Sequence, residues 1–351
     1  MTTPTSACIT SHKNAAIDFT QVLADAITQR QDFFAYATQH NTDCYRVFHG
    51  TVEGANGLNI DRYGDAWLVQ SFHETLSEQQ LAQISQVLIQ HGDFPMVYND
   101  RSQKNSRVAN NLLNEAQDYA MSEQVMHENG IAFTTKLRHE GQDPLLFLDM
   151  RIGREYMHQH SNNKTVLNLF SYTCGIGTAA AVGGAKRVMN VDFSSFALAA
   201  GKKNAELNHV ENVCEFVQSD AFPALRQLAG LPVGGRRNQK LPKFPKLAKT
   251  TFDLVFLDPP RFAKSVFGVV DLINDYQGLF KPAMLTTKPG GTIVCCNNVA
   301  KVERQSWLDS LIRCVEKNGR RISHIEWLDC HQDFPSFDDN HPLKIVALTI
   351  N

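Results

Sequence analysis

Residues 165–192 read TVLNLFSYTCGIGTAAAVGGAKRVMNVD. Thr165–Phe170 is a short apolar run of the kind buried on both faces of a sheet. The small residues from Gly177 onward suit a helix lying close to that sheet, and Arg187–Asp192 repeats the buried-strand pattern. Strand, helix and strand in one short stretch make a βαβ unit, whose two strands must lie parallel. The alternation continues through SSFALAAGKKNAELN (194–208), VCEFVQSD (213–220), FDLVFLD (252–258), LINDYQGLFKPAML (272–285), GGTIVCCNN (290–298), a helical stretch over 303–317, and the late apolar runs ISHIEWL (322–328) and LKIVALTI (343–350). An α/β fold follows, with a parallel sheet covered by helices on both faces. Ligands of such sheets sit beyond the carboxyl ends of the strands, at the switch point.

Upstream the pattern differs. DFTQVLADAITQRQDFFAYATQ (18–39) has apolar residues at helical spacing and predicts one packed helix. YRVFHG, GLNIDRYG and AWLVQSF are short, β-rich and separated by Gly50, Gly57 and Gly64, which predicts a small meander. Ser77 then opens a helix with Leu81, Ile84, Val87 and Leu88 inward and Gly92 past its end. The expected organisation is a helical segment over 1–40, an α+β domain over 41–145 and an α/β domain over 146–351.

With 351 residues, 43% of them hydrophobic and 20% charged, the chain is expected to form about two globular domains. It lacks an apolar run of the ~18 residues that span a bilayer, and its first residues lack a charged head followed by an apolar stretch. The eight cysteines have no C-x-x-C spacing and read as reduced thiols, which points to the cytoplasm. A net charge of −2 argues against wholesale adhesion to nucleic acid but leaves room for a local basic patch. Residues 226–249 carry Arg226, Arg236, Arg237, Lys240, Lys243, Lys246 and Lys249 without an acidic residue, a loop suited to neutralising phosphates. The thirteen histidines form no ligand-like cluster, so no metal is expected.

The strand ends carry the chemistry. After Asn168, the segment Ser171-Tyr172-Thr173-Cys174-Gly175-Ile176-Gly177 leads into a helix expected to start near Gly177. Glycines there let backbone amides approach an anion. Asp192 ends the second strand, placed to accept from two ribose hydroxyls; its alternative role is to cap the helix opening near Ser194. Asp220, followed by Ala221, ends the third, where a carboxylate could receive an adenine amino group or cap a helix. Asp258-Pro259-Pro260-Arg261-Phe262 ends the fourth, and the two prolines hold a stiff edge without backbone donors.

NLFSYTCGIG, the acidic Asp192, DPPRFAKS and GGTIVCCNN together resemble class I S-adenosylmethionine-dependent methyltransferases, specifically the group of the ribosomal large-subunit RNA methyltransferases I and K/L. CYRVFHGTVEGANGLNIDRYGDAWLVQSF (44–72) is similar to the central domain of those enzymes, and LLFLDMR (145–151) to their F-L-D-x-R segment. No RNA-binding PUA domain is matched. The resemblance implies a Rossmann-like domain with a mostly parallel seven-stranded sheet behind a smaller α+β domain, and S-adenosyl-L-methionine as cofactor. It implies a ribosomal RNA acceptor from the large subunit; the oligomeric state stays open, a homodimer included. The cofactor would contact Asp149, Arg151, Asn168, Phe170, Ser171, Tyr172, Thr173, Gly175, Gly177, Asp192, Phe193, Ser194, Asp220, Ala221 and Asp258. Asp149 and Arg151 would close its pocket. Catalytic work would fall to Asp258, Pro259, Pro260, Arg261, Phe262, Asn297 and Asn298.

One departure bears on the acceptor. Methylation at cytosine C5 calls for a cysteine thiolate that adds to C6. The methyltransferase I type has a segment like F-S-C-S at the fifth strand end, whereas Asn298 stands at that cysteine here, and Cys295 and Cys296 lie further back in the strand. Guanine N7 owns a lone pair and needs no such activation, so it is favoured over cytosine C5. The residues leave open an N-methyltransferase of a protein or small molecule, a nucleotide-dependent dehydrogenase suggested by G-x-G-x-x-A, and a non-catalytic RNA-binding protein on the same fold.

Overall fold

The computed structural model describes residues 17–102, 114–138, 144–234, 241–338 and 340–351. The first half contains helices α1 (Phe19–Gln29) and α2 (Gln31–Gln39), then strands β1 (Cys44–His49), β2 (Leu58–Tyr63) and β3 (Trp67–Ser71), helix α3 (Glu78–Leu88) and strand β4 (Met96–Asp100). β1, β2 and β3 form an antiparallel meander; α3 crosses over so that β4 pairs parallel with β3. Ser77 starts α3 through a capping box: its hydroxyl accepts from Gln80 N at 3.3 Å, and Gln80 Oε1 accepts from Ser77 N at 2.8 Å. The single helix expected over 18–39 is broken at Arg30, whose backbone leaves helical geometry at φ −101°, ψ 8°. Its guanidinium is buried there, held by Glu53 and by the Ala26 carbonyl.

Helix α4 (Asn114–Met121) and the hairpin β5 (Gln124–Glu128)–β6 (Ile131–Thr135) follow. The hairpin turns at Asn129-Gly130, both in the left-handed region, as a two-residue turn between twisted strands requires. Side chains from the end of a later helix, over Ser195–Leu207 and its cap Asn208, meet the free edge of β6. Asn204 Oδ1 accepts from Thr134 N at 2.7 Å, and Asn208 spans both backbone groups of Ala132.

The second half contributes α5 (Arg151–His160), β7 (Thr165–Leu169), α6 (Gly175–Val182), β8 (Arg187–Asp192), α7 (Ser195–Leu207), β9 (Cys214–Gln218), α8 (Ala221–Leu228), β10 (Phe252–Leu257), the short hairpin β11 (Phe262–Lys264)–β12 (Val269–Asp271), α9 (Gln277–Leu285), β13 (Thr287–Asn297), α10 (Arg304–Lys317), β14 (Ile322–Leu328) and β15 (Lys344–Ile350). The seven-stranded sheet has the order β14-β15-β13-β10-β7-β8-β9. Its pairs are parallel from β13 to β9, and β15 runs antiparallel between β13 and β14. From β7 the chain runs outward through β8 and β9, then returns to β10 on the other side. The switch point therefore lies between β7 and β10.

A buried ion network joins the halves. Arg151, 1% exposed, donates from Nη1 to both oxygens of Asp333 at 3.0 Å and from Nη2 to the Cys44 carbonyl of β1 at 2.8 Å. One turn on, Arg154 grips Glu128 of β5 with two bonds of 2.6 Å, and Glu128 lies 3.3 Å from Arg151 Nε. Asp333 also accepts from Arg46 N at 3.1 Å. Removing one partner of a buried pair strands the other charge away from water and costs about 3–5 kcal/mol. Arg151→Ala is accordingly expected to lower the urea-unfolding free energy by that amount. A loss under about 1 kcal/mol would show that the network does not hold the halves together.

Candidate active site

A cleft of about 390 Å³ opens at the carboxyl ends of β7, β8, β10 and β13, where the strand order predicts a ligand site. Phe170, Ser171, Tyr172 and Thr173 line it after β7, Asp192 and Phe193 after β8, Asp258, Pro259 and Pro260 after β10, and Asn298 after β13. The segment leading into α5 forms the facing wall with Leu145, Leu146, Phe147, Asp149 and Met150, and Leu343 closes one side.

The turn after β7 is built differently from the sequence expectation. Phe170, Tyr172 and Cys174 all lie in the left-handed region, at φ 57°, 47° and 59°. Side chains pay for that conformation, which persists only where surrounding bonds impose it. Here Ser171 N donates to Val191 O at 3.0 Å, Tyr172 N to Asp192 Oδ2 at 2.8 Å, and Thr173 Oγ1 to Leu145 O at 2.6 Å. The glycines are not what lets the chain turn. Helix α6 begins at Gly175, before the expected start, and Gly177 lies inside it, off the cleft, where a Cβ would overlap the Asn190 carboxamide of β8. Gly177 thus serves helix-to-sheet contact. Asn168 lies at the floor, its Nδ2 donating to Asn190 Oδ1 at 2.9 Å.

Asp192 is 9% exposed, and burial raises its pKa against the opposing pull of the backbone amides of Ser194 and Tyr172. Each of its oxygens takes one amide, leaving lone pairs for hydroxyl donors in the cleft. Asp258 and Asp149 are two partly buried carboxylates on opposite walls. Burial pushes the Asp258 pKa up to about 7; the Asp149 charge adds to the rise, and a hydrogen bond with Cys296 opposes it. Burial also raises Asp149, against Arg46 and Arg154.

Several expected residues lie elsewhere. Arg151 does not close the cleft; it is spent in the ion network behind Asp149. Asp220 and Ala221 are off the cleft, where Asp220 caps α8 by accepting from Phe222 N at 2.8 Å, and Ser194 caps α7. Asn297 is fully buried, with its amide bonded to Leu272 O and Val299 N, so only Asn298 reaches the cleft. Arg261 and the 54%-exposed Phe262 stand outside it, with Lys264 Nζ 5.2 Å from the Phe262 ring centroid. Of the basic loop, Arg236, Arg237 and Lys240 fall outside the described residues, while Lys243, Lys246 and Lys249 are exposed. The described cysteines number seven, and the surroundings raise every thiol; burial is the main cause throughout. Among the described residues no group of three His, Cys, Asp or Glu could hold a metal, and no helix is long and apolar enough to cross a membrane.

Sequence reasoning missed Leu145, Leu146, Met150, Ile176, Arg154 and Leu343 as cleft residues. Leu343 lies 174 residues beyond Leu169, the end of β7, and no local pattern marks it.

Comparisons with known proteins agree with this geometry. Residues 69–349 match the model of a family described as S-adenosylmethionine-dependent methyltransferase. Ribosomal RNA large subunit methyltransferase K/L of Pseudoalteromonas atlantica is 31% identical over 88% of this chain and 41% of its own length. Methyltransferase I of Aliivibrio fischeri (strain ATCC 700601 / ES114) is 31% identical over 81% of this chain and 68% of its own length. The chain thus spans less than half of the K/L protein. A solved methyltransferase from Streptococcus mutans shares the fold with a TM-score of 0.74 at 23% identity, covering 96% of this chain and 83% of that one. With the cleft at the switch point and a family match over most of its length, the chain belongs to the S-adenosylmethionine-dependent methyltransferases, in the family of the large-subunit enzymes I and K/L.

Proposed function

We propose that the protein methylates a base of large-subunit ribosomal RNA, guanine N7 in preference to cytosine C5. The ribosomal substrate comes from the names of the relatives; the choice of atom rests on the cysteines. A C5 enzyme needs a thiolate beside the base, and every described thiol here is held toward its neutral form. Cys295 and Cys296 are fully buried inside β13, and Asn298 occupies the cleft edge beyond them.

The cleft residues suit S-adenosyl-L-methionine, which supplies a methyl group on a positive sulfonium. The carboxylate of Asp192 would take the ribose hydroxyls, and the turn over Ser171 to Gly175 the amino-acid end. The exposed ring of Phe193 offers a face for the adenine. Asp258 would accept from the edge of the extruded base, with Pro259 and Pro260 as a rigid sill and Asn298 orienting the ring. Chemistry on a base requires it to leave its stack, so the acceptor is an unpaired or flipped nucleotide. The exposed Lys243, Lys246 and Lys249 are suited to its phosphates.

Asp192→Ala should weaken S-adenosylmethionine binding by tens-fold, the equivalent of about 2–3 kcal/mol for a carboxylate accepting two hydroxyls. Calorimetry giving a Kd within two-fold of wild type, with unchanged circular dichroism, would remove Asp192 from the ribose. Arg151→Ala should weaken the cofactor less than Asp192→Ala does, because its guanidinium lies behind the cleft and not in it.

The acceptor is tested by tritiated methyl transfer to ribosomal RNA from a strain deleted for the gene, followed by nucleoside mapping. The Cys295→Ala, Cys296→Ala double variant should retain most of the rate. Its inactivity, together with a trapped adduct on 5-fluorocytidine RNA, would establish C5 chemistry instead.

Asp258 should act as an ionised acceptor, so kcat/KM is expected to rise with pH and level off above about 7. Asp149→Asn removes a negative charge that raises this pKa and should move the limb to lower pH, while Asp258→Asn should abolish it. A limb that stays in place in Asp258→Asn would assign the titration to another group.

A further inference from the structure

A second chamber, of about 260 Å³, lies between the four-stranded sheet and the chain leading into β15. It shares Phe147, Asp149 and Leu343 with the cofactor cleft. Its wall includes a polar row laid across three strands: His49 is paired with Asn59, and Asn59 with Gln70, in the β1–β2–β3 registers. The neighbouring positions Phe48, Ile60 and Val69 belong to the hydrophobic core. The sheet thus packs one face and turns this row toward the other half of the molecule.

One donor in this row has no acceptor. Gln70 is 6% exposed, and its Nε2 is buried with no hydrogen-bond partner among the described residues. A buried donor left in that state is costly, and its usual explanation is a missing partner. His49 Nδ1 lies 2.9 Å from Arg46 Nη1. A guanidinium only donates, so Nδ1 accepts and the ring proton is on Nε2. Burial, aided by the charges of Arg46 and Arg30, lowers the His49 pKa to about 4, which keeps the ring neutral. Arg101 lies with its guanidinium carbon 5.1 Å from the Phe72 ring centroid and has no ion pair among the described residues. Asp61, the carboxylate beside them, is neutralised by two bonds from Arg46 at 2.8 and 3.1 Å.

We propose that this chamber receives the nucleotide flanking the methylated one, with its phosphate on Arg101 and the acceptor edge of its base on His49 Nε2 and on the Gln70 carboxamide, whose buried Nε2 turns toward the occupant. The assignment rests on the RNA acceptor proposed above. The donor set matches guanine, whose O6 and N7 lie on one edge. A base held through those atoms cannot offer them to the methyl donor. The chamber also reaches Asp149 but not Asp258, so its occupant stands beside the target rather than being the target. Contacts to flanking nucleotides are a general source of sequence context in enzymes that extrude a base.

The test uses the protein loaded with S-adenosylhomocysteine, titrated with guanosine 5′-monophosphate and with guanosine. Gln70→Met, close in volume and without the amide, should weaken both ligands about ten-fold, the worth of one hydrogen bond of ordinary strength. Arg101→Ala should weaken the monophosphate about ten-fold and guanosine little. Both should leave the affinity for S-adenosylhomocysteine within two-fold and raise KM for RNA more than they lower kcat. Variants that match wild type in nucleotide binding and in KM would overturn the chamber assignment. Nucleotide binding that depends on Gln70, in a wild-type protein that transfers methyl to no RNA, would keep the chamber and overturn the RNA acceptor instead. Because Met removes an unpaired buried amide, the thermal midpoint of Gln70→Met should not fall, which separates a binding defect from a folding one.

Discussion

The pairing of Arg151 with Asp333 and Glu128 is the constraint on which the arrangement of the two halves depends. These groups come from three distant stretches: the start of α5, the chain between β14 and β15, and the hairpin strand β5. Ions this deeply buried are costly in any other arrangement, because each charge would face a medium that solvates it poorly. The network therefore admits one relative placement. It brings Cys44 at the start of β1 against the helix that precedes β7. Arg154, one turn further along the same helix face, repeats the logic with Glu128.

That placement creates the cleft as a two-walled site. The strand ends of the α/β sheet supply one wall, and the Leu145–Met150 segment, carried on the ion-paired helix, supplies the other. Asp149 sits two residues before Arg151, so the geometry of the network sets how closely its carboxylate faces Asp258. Burial comes first in the rise of both pKa values; the Asp149 charge adds to the rise at Asp258, and the Asp61 charge adds to that at Asp149. The strained turn after β7 is held in the same way from outside, by Asp192, Val191 and Leu145. Backbone strain of about 1–3 kcal/mol per residue is stable only where such bonds over-determine it.

The same interface leaves a polar sheet face opposite the Asp149 segment. An isolated meander would expose that row to water at little cost. Docked against the other half, it becomes a partly closed chamber in which Gln70 Nε2 is buried without a partner among the described residues. The cleft and the chamber thereby share Phe147, Asp149 and Leu343.

Sequence by itself determined the elements that obey local rules. The β-rich runs and helical periods of the second half appear as strands and helices in the expected order, because alternation of buried strands and amphipathic helices is a short-range property. The helix start at Ser77, the meander over 44–71 and the acidic residues closing β8 and β10 were legible for the same reason. Tertiary structure alone decided what each polar side chain does. Asp192 ends β8 and Asp220 follows β9, yet only the strand next to β7 delivers its carboxylate to the switch point, and Asp220, one strand further out, caps a helix. Arg151 and Asp149 are neighbours in one motif, but opposite faces of a helix start send one into the ion network and the other into the cleft. Gly177 looked like a loop glycine and is a packing glycine, because the clash it avoids comes from Asn190 on another strand. These assignments depend on which strands lie side by side and on which charges share a dry interface, and a linear pattern carries neither.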